Sequence, residues 1–163
     1  MFNLQKYLGK WYELAHYPSW FQRNHNINTI AEYSLNSDGT INVHNSTLIP
    51  GTSMQPFDSY GTATHLGGTS FNVQFAMPEV AKLAISGQFK APNIQMTGPN
   101  YVIDRLWTDA AGNYIFAIVT DSQRNSLYVL SRDPHPCLQH YNEVMGYVIE
   151  HYDRDRLVQV SHL

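Results

Sequence analysis

The chain has 163 residues, of which 43% are hydrophobic, 13% aromatic and only 14% charged, and its formal net charge is −3. This length and composition predict one globular domain over residues 1–163 and exclude a disordered chain. The weak negative charge provides no basic surface for nucleic acid, and no apolar run is long enough to cross a bilayer. The single cysteine, Cys137, excludes an intrachain disulfide.

A predicted first strand covers residues 9–17. Because residues two apart in a strand share a face, the alternation predicts one face with five members: Gly9, Trp11, Glu13, Ala15 and Tyr17. The connection over residues 18–26 then breaks the alternation and places Trp20 beside Phe21. This connection is either a loop anchored by its own aromatic side chains or a lid over a ligand site.

Seven further short strands are predicted from alternating apolar and polar residues. They cover residues 29–35, 40–44, 58–64, 70–75, 101–107, 114–120 and 127–132. Asp38 and Gly39 lie between the first two and are a strong hairpin signal. The clearest alternation places Phe71, Val73 and Phe75 on one face. Short strands joined by tight turns predict an antiparallel meander of eight strands in all.

Two segments depart from the strand pattern. Residues 79–99 mix apolar residues with glycine and proline, which predicts an insertion that is either an extra hairpin or a long loop. After Pro134 and Pro136 the apolar residues recur at helical spacing. A C-terminal helix is therefore expected to pack its apolar stripe on the outside of the sheet, followed by a short edge strand at residues 157–160.

Eight antiparallel strands can close on themselves and thereby remove their edges. A barrel of this size is either filled by its side chains or left able to hold one small ligand. The inward positions mix aromatic residues with Glu13 and with small and polar residues, whereas a solid core is more uniformly aliphatic. The predicted fold class is therefore an all-β, eight-stranded up-and-down barrel around a lined cavity, with a C-terminal α-helix packed outside.

Three sequence elements resemble the signatures of the lipocalin family. Residues 8–15 (Leu-Gly-Lys-Trp-Tyr-Glu-Leu-Ala) resemble the first signature, a Gly-x-Trp strand. Residues 128–134 (Tyr-Val-Leu-Ser-Arg-Asp-Pro) resemble the last, a strand that ends in arginine before the C-terminal helix, and residues 120–121 (Thr-Asp) stand at the middle one. The opening over residues 2–13 is most similar to the bacterial-type branch related to apolipoprotein D.

The resemblance implies structural roles for the signature residues Gly9, Trp11, Thr120, Asp121 and Arg132. In the family the tryptophan packs inside the closed end of the barrel and the arginine crosses over it. Arg132 is therefore expected to lie on the Trp11 ring, in a cation–π contact worth about 0.5–2 kcal/mol. These residues would seal the floor of the barrel without touching the ligand.

The function implied by the resemblance is the binding and transport of small hydrophobic or amphiphilic molecules, such as fatty acids or lysophospholipids. Burial of an acyl chain would drive binding by about 0.8 kcal/mol per methylene group. The residues expected to line the cavity and its mouth are Glu13, Tyr17, Trp20, Phe21, Tyr33, Tyr60, Phe71, Phe75, Arg105 and Tyr128. No metal or cofactor is expected. A homodimer is left open. The insertion at residues 79–99 is expected at the open end of the barrel, where it either deepens or covers the mouth or offers an apolar patch for contact with a membrane surface or a partner.

Asp104 and Arg105 are consecutive in a predicted strand, so alternation is expected to turn one of them inward. An inward Arg105 would hold a carboxylate or phosphate, whereas an inward Asp104 would need a partner or take up a proton. Alternatively, the inward residue pairs with Glu13 or a tyrosine and is purely structural.

Two other functional classes compete with a carrier. An enzyme would need an acid or base inside the cavity, for which Glu13 is the candidate, but the sequence has neither a Gly-x-Ser-x-Gly elbow nor a His-Glu-x-x-His motif. A protein-interaction module is the other class. We predict a binding protein without catalytic activity. The compartment stays undecided: the N-terminus has no secretory signal, either because the protein stays inside or because a leader was removed, and the resembled family is mostly exported.

Overall fold

An antiparallel sheet that closes on itself dominates the computed structural model, which describes residues 1–18, 26–50, 56–75 and 99–163. Its strands are β1 (Gly9–His16), β2 (Ile27–Leu35), β3 (Ile41–Leu48), β4 (Pro56–Gly67), β5 (Ser70–Phe75), β6 (Tyr101–Thr108), β7 (Tyr114–Thr120) and β8 (Tyr128–Ser131). Each pairs with the next in the chain, and β1 pairs with both β2 and β8. The predicted eight-stranded antiparallel barrel is confirmed.

A short helix, α1 (Leu4–Tyr7), precedes β1 and covers one end of the barrel, which we call the floor. The Asn3 side chain caps this helix by accepting a hydrogen bond from the Lys6 amide at 3.3 Å. Lys6 Nζ donates to the carbonyl of Gly112 in the β6–β7 turn, at 3.1 Å. Strand alternation does not predict α1. This helix places the buried Tyr7 side chain inside the barrel.

The C-terminal helix, α2 (Leu138–His151), packs on the outer surface of the sheet, as predicted. Val144, Met145 and Val148 recur at helical spacing and are buried against the outward-facing residues of β1, β7 and β8. A 3₁₀ turn (Arg154–Arg156) follows, and then the predicted edge strand, β9 (Val158–Gln159), which pairs with the end of β1.

β-bulges reverse the side-chain alternation on the side of the barrel that α2 covers, and two of them decide which way predicted site residues face. In β1, Glu13 is opposite Leu130 and Ala15 is opposite Val129, so that Leu14 is an extra residue. In β6, Ile103 is opposite Val119 and Arg105 is opposite Ile118, so that Asp104 is extra. Each bulge gives two consecutive residues on the outer face. Residues beyond a bulge therefore lie on the face opposite to the one that strict alternation predicts.

The predicted insertion at residues 79–99 lies, apart from Pro99, outside the described residues, so its conformation stays a prediction. The strands beside it are described. β5 pairs with β6 only at Ser70 and Phe71, and beyond them the Asn100 side chain bonds both the amide and the carbonyl of Val73, each at 2.7 Å. Asn100 thus continues the pairing between the two strands by one residue.

His16, at the end of β1, is expected to make stability depend on pH. It is 1% exposed, and its Nδ1 donates to the Tyr17 carbonyl at 2.7 Å. Burial lowers the pKa of His16 below its ordinary value of 6.5, although the hydrogen bond opposes this change. Below about pH 7 the unfolded chain then binds more protons at this histidine than the folded chain does. The contribution of His16 to the free energy of unfolding is therefore fully present above that pH and decreases as the pH falls toward 5.

Thermal unfolding followed by circular dichroism between pH 7 and 5 measures this effect. We expect the melting temperature of the wild type to fall over this interval and that of His16→Gln to fall less steeply. Burial also lowers the pKa of His162, so some slope remains in the variant. Equal slopes for the two proteins would contradict the assignment to His16.

Candidate functional site

The floor of the barrel is organised around Trp11. Its side chain is fully buried, and its indole Nε1 donates to the Tyr7 carbonyl at 2.8 Å. The Arg132 Cζ lies 3.8 Å from the centre of the Trp11 ring, which is the contact expected from the family resemblance. A guanidinium stacked on a buried indole, with its edges free to donate, suits this position better than an ammonium group.

Arg132 also ties together the backbone around the start of β1. Its guanidinium donates to the carbonyls of Lys6, Tyr7, Leu8 and Lys10 at 2.7–3.1 Å. Gly9 lies between them with φ +101°, and a Cβ there would be 3.4 Å from Arg132 Nη1. The chain therefore favours glycine here for its positive φ, whereas a Cβ would only be in van der Waals contact with the arginine. These contacts close the floor.

The middle signature, Thr120 and Asp121, orders the β7–β8 turn at the end of the barrel opposite the floor. The buried Thr120 hydroxyl donates to the Ser126 carbonyl at 2.7 Å. The Asp121 carboxylate accepts from the Ser126 hydroxyl at 2.6 Å and from the Gln123 amide at 2.8 Å. Burial raises the pKa of Asp121, but these hydrogen bonds outweigh it and lower the pKa overall. Thr120 and Asp121 therefore stabilise the turn between β7 and β8.

Four of the predicted ligand residues face the barrel interior. Tyr33 and Phe71 are buried in the interior cluster, and Tyr128 packs against it. Glu13 is 5% exposed, and its charge contributes to the raised pKa values of both Tyr33 and Tyr128, for which burial is the larger cause. The structure thus brings these four residues together inside the barrel.

A narrow cavity lies in this interior, above the floor. The empty space between the lining atoms, together with the open solvent at the mouth, is about 270 Å³. Most of this space is too narrow for a water molecule, and the cavity has room for about one. Its lining residues are Tyr7, Leu8, Tyr33, Ile41, Ala63, Phe71, Val73 and Tyr101. Aromatic side chains occupy much of the described interior, which is therefore more filled than the mixed composition predicts.

Three tyrosine hydroxyls meet in the wall of this cavity. The Tyr101 hydroxyl bonds the hydroxyls of both Tyr7 and Tyr33, the latter at 2.9 Å. Burial is the largest cause that raises the pKa of all three phenols, and the pKa of Tyr33 rises to about 12. All three are therefore neutral hydrogen-bonding groups at neutral pH.

Six of the eight lining residues were not predicted as ligand residues, and Tyr7 and Tyr101 are the polar ones among them. Tyr7 lies in α1, outside any strand alternation, so no periodic pattern predicts its inward position. A signal existed for Tyr101: it stands two residues before the inward-facing Ile103 in β6, and the two share a face.

Tyr17 does not lie in the cavity, contrary to the prediction. The bulge at Leu14 moves it to the outer face, where it packs in the cluster beneath α2. Its hydroxyl accepts a hydrogen bond from the Asp153 amide at 2.7 Å, and the Arg156 Cζ lies 4.4 Å from its ring centre. Tyr17 therefore anchors the C-terminal segment.

Neither Asp104 nor Arg105 turns inward, so the prediction that alternation forces one of them inside is wrong. The bulge at Asp104 places both outside. The Asp104 carboxylate accepts from the hydroxyls of Tyr147 and Tyr152 at 3.0 and 2.8 Å. The exposed Arg105 lies 5.5 Å from the Trp107 ring and 5.6 Å from the Tyr147 ring. Arg105 therefore holds no ligand headgroup inside the barrel.

Of the remaining predicted residues, Tyr60 and Phe75 lie outside the closed part of the cavity. Tyr60 is 52% exposed and stacks on His44 on the outer face, because its neighbour Gly61 is the inward one. Phe75 shares the face of Phe71 and Val73 but is 46% exposed, at the end of β5 away from the floor. Trp20 and Phe21 lie outside the described residues.

Within the described ranges, no three His, Cys, Asp or Glu side chains are grouped so that they could hold a metal ion. Neither helix in those ranges has the length and apolar character needed to cross a membrane.

Comparisons with known proteins agree with this geometry. The model of the lipocalin-like domain family matches residues 2–162. Temperature-induced lipocalin-1 of Arabidopsis thaliana is 31% identical over 158 residues, which are 95% of this chain and 76% of the relative. The outer membrane lipoprotein Blc of Vibrio cholerae is 31% identical over 82% of this chain and 66% of its own length. Apolipoprotein D of Cavia porcellus is 39% identical over 64 residues, covering 39% of this chain and 32% of the relative.

Among solved structures, the cockroach allergen Per a 4 superposes with a TM-score of 0.63 over 99% of this chain and 89% of that one, at 18% identity. This similarity concerns the fold alone. The family is one of proteins that bind small hydrophobic ligands and are generally binding and transport proteins. With the Gly-x-Trp strand, the closed eight-stranded barrel and the arginine-sealed floor all present, the chain belongs to the lipocalin family.

Proposed function

We propose that residues 1–163 act as one domain that binds and carries single-chain amphiphilic lipids, such as fatty acids or lysophospholipids. The observation that carries the proposal is the narrow cavity inside the barrel, lined by apolar and aromatic residues and closed at the floor. The cavity has room for about one water molecule, and an unbranched chain needs less widening of it than a fused ring system does. Small rotations of the lining aromatic side chains would widen it for an acyl chain.

The chemistry of the lining agrees with an acyl chain. Of the eight lining residues, five are aliphatic or phenylalanine and three are neutral tyrosines. Each methylene group transferred from water to such a lining would contribute about 0.8 kcal/mol. Glu13, Tyr128 and Phe75 lie farther along the strands from the floor, where they would contact the part of the ligand nearer the headgroup. Trp20 and Phe21 stay predictions for the same region.

The first test is the lipid content of the protein as purified. Native mass spectrometry is expected to show protein with one bound single-chain lipid, and extraction should identify it. Delipidated protein should then bind dodecanoic acid and lysophosphatidylcholine, as measured by displacement of the fluorescent probe N-phenyl-1-naphthylamine. Failure of both lipids to displace the probe would overturn the proposed function. Membrane contact and a homodimer remain separate predictions.

A substitution that fills the cavity tests where the lipid binds. Ala63 is buried and lines the cavity, whereas its neighbour Thr62 is exposed on the outer face. We expect Ala63→Leu to weaken dodecanoic acid binding about tenfold, because the added side chain takes the space of about two methylene groups. Thr62→Leu adds an apolar side chain to the same strand outside the barrel and should bind like the wild type. Equal affinities of the two variants would contradict binding inside the barrel.

A further inference from the structure

The three tyrosine hydroxyls in the cavity wall have one O–H donor more than the hydrogen bonds between them require. Tyr7, Tyr33 and Tyr101 supply three O–H groups, one each. Two hydrogen bonds join them, with Tyr101 in the middle. Within the described chain these hydroxyls make no other hydrogen bond, so one of the three protons is left for a further acceptor.

The surroundings of this hydroxyl cluster are otherwise apolar. Tyr7 and Tyr33 are 3% and 8% exposed, and the Phe71 ring packs edge-on against Tyr101 at 5.8 Å between ring centres. The other lining residues are aliphatic and supply no polar side-chain group. A buried donor in such surroundings gains strongly from an acceptor, because water is not in competition with it.

The charge around the cavity disfavours an anionic acceptor. None of the eight lining residues is charged. The cation of Arg132 lies on the Trp11 ring, and its guanidinium already donates to four backbone carbonyls. At Tyr33 the charge of Glu13, which opposes a second negative charge, has a larger effect than the charge of Arg132, which favours one. A neutral oxygen acceptor fits best.

We propose that the ligand inserts a neutral, oxygen-bearing end to the bottom of the cavity, where the hydroxyl cluster of Tyr7, Tyr33 and Tyr101 binds it. The ligand class is a long apolar chain with a hydroxyl or carbonyl oxygen at or near its buried end. A hydroxyl fits the cluster best, since it accepts the remaining proton and can donate its own to a phenol oxygen. This inference rests on the proposed function and specifies which lipids the site prefers.

A matched pair of ligands tests it: dodecanoic acid and 12-hydroxydodecanoic acid, which differ by one terminal hydroxyl. Affinities come from displacement of N-phenyl-1-naphthylamine from the delipidated protein. The wild type is expected to bind the hydroxy acid at least as tightly as the plain acid, although the hydroxyl has to leave water. In a purely apolar cavity the same hydroxyl would weaken binding about tenfold.

The variant is the triple substitution Tyr7→Phe, Tyr33→Phe and Tyr101→Phe. It removes every donor and acceptor of the cluster together, so no buried polar atom loses its partner and the fold is retained. Its ratio of hydroxy-acid to plain-acid affinity should fall about tenfold below the wild-type ratio. Tyr12→Phe, which removes a phenol hydroxyl from the outer face of β1 beside His162, is the control and should keep the wild-type ratio.

The outcomes separate this inference from the proposed function. If both acids bind and the triple variant keeps the wild-type ratio, the hydroxyl cluster does not recognise the buried end and the inference is wrong, while lipid binding stands. If neither acid displaces the probe, the inference is wrong, and the proposed function fails with it only if lysophosphatidylcholine also leaves the probe bound. Circular dichroism of the triple variant at the assay temperature verifies that it is folded.

Discussion

Replacement of Arg132 by methionine is expected to lower the free energy of unfolding by about 3 kcal/mol, the largest effect predicted for a single side chain of this protein. The substitution removes the cation from the Trp11 ring, 3.8 Å away, and removes the arginine donor from four backbone carbonyls, of which that of Tyr7 keeps its hydrogen bond from the Trp11 indole. Water can reach part of this site, because Arg132 is only half-buried, and this limits the loss. Urea unfolding followed by circular dichroism measures it.

Arg132→Lys separates charge from geometry. A lysine keeps the positive charge, but its single ammonium group cannot stack on the indole and reach the same carbonyls, so we expect a loss of about 2 kcal/mol. Arg105→Met is the matched control, since Arg105 also lies beside a tryptophan, 5.5 Å from the Trp107 ring, but is exposed. Its loss should not exceed about 1 kcal/mol. Similar losses for Arg132→Met and Arg105→Met would show that the floor contacts contribute little.

Replacement of Asp104 by alanine is expected to cost about 2–3 kcal/mol and to loosen α2 from the barrel. The carboxylate accepts hydrogen bonds from Tyr147 in α2 and from Tyr152 just after it, and Arg124 lies 3.4 Å away. Without it, two phenol hydroxyls beneath the helix lose their charged acceptor. Hydrogen exchange should show faster exchange of the α2 amides, and urea unfolding the lower stability.

A mutant cycle tests whether the lost hydrogen bonds to Tyr147 and Tyr152 cause the lower stability of Asp104→Ala. In the background Tyr147→Phe and Tyr152→Phe, the donors are already absent, so Asp104→Ala should cost less than about 1 kcal/mol. A cost as large as in the wild-type background would mean that Asp104 acts through the bulge backbone or Arg124 instead. Lipid binding should be unchanged in Asp104→Ala, because the residue lies outside the barrel.

Much of the fold follows from local patterns that the chain carries in its own order. Hairpins such as the one at Asp38 and Gly39 need only alternation and a turn signal, and the α2 stripe with Val144 and Val148 needs only helical spacing. The contact between Trp11 and Arg132 joins residues far apart in the chain, and it was predicted because two family signatures carry it. The hairpins and the helix depend on neighbouring residues, so one sequence suffices to predict them, whereas the Trp11–Arg132 contact was predicted only from the family resemblance.

The inward or outward direction of several site residues depended instead on pairing between strands. At the bulges at Leu14 and Asp104, β1 and β6 each have one more residue than the strand opposite. Leu14 and Ala15 are buried in the cluster beneath α2. Tyr147 of α2 contacts both Asp104 and Arg105. A bulge of one residue reverses the face of everything beyond it, which is why Tyr17 and Arg105 lie outside the cavity.

The tyrosine cluster shows the same division between local pattern and tertiary contact. Its members come from α1, β2 and β6, which are separated along the chain, and only the closure of the barrel brings their hydroxyls together. Local periodicity therefore decided that a barrel with a helix on its outside would form, and the resemblance of two segments to family signatures indicated that Trp11 would lie at its floor. The closed sheet alone decided which polar groups meet in the cavity, because hydrogen bonds between distant strands carry no signature in the order of residues.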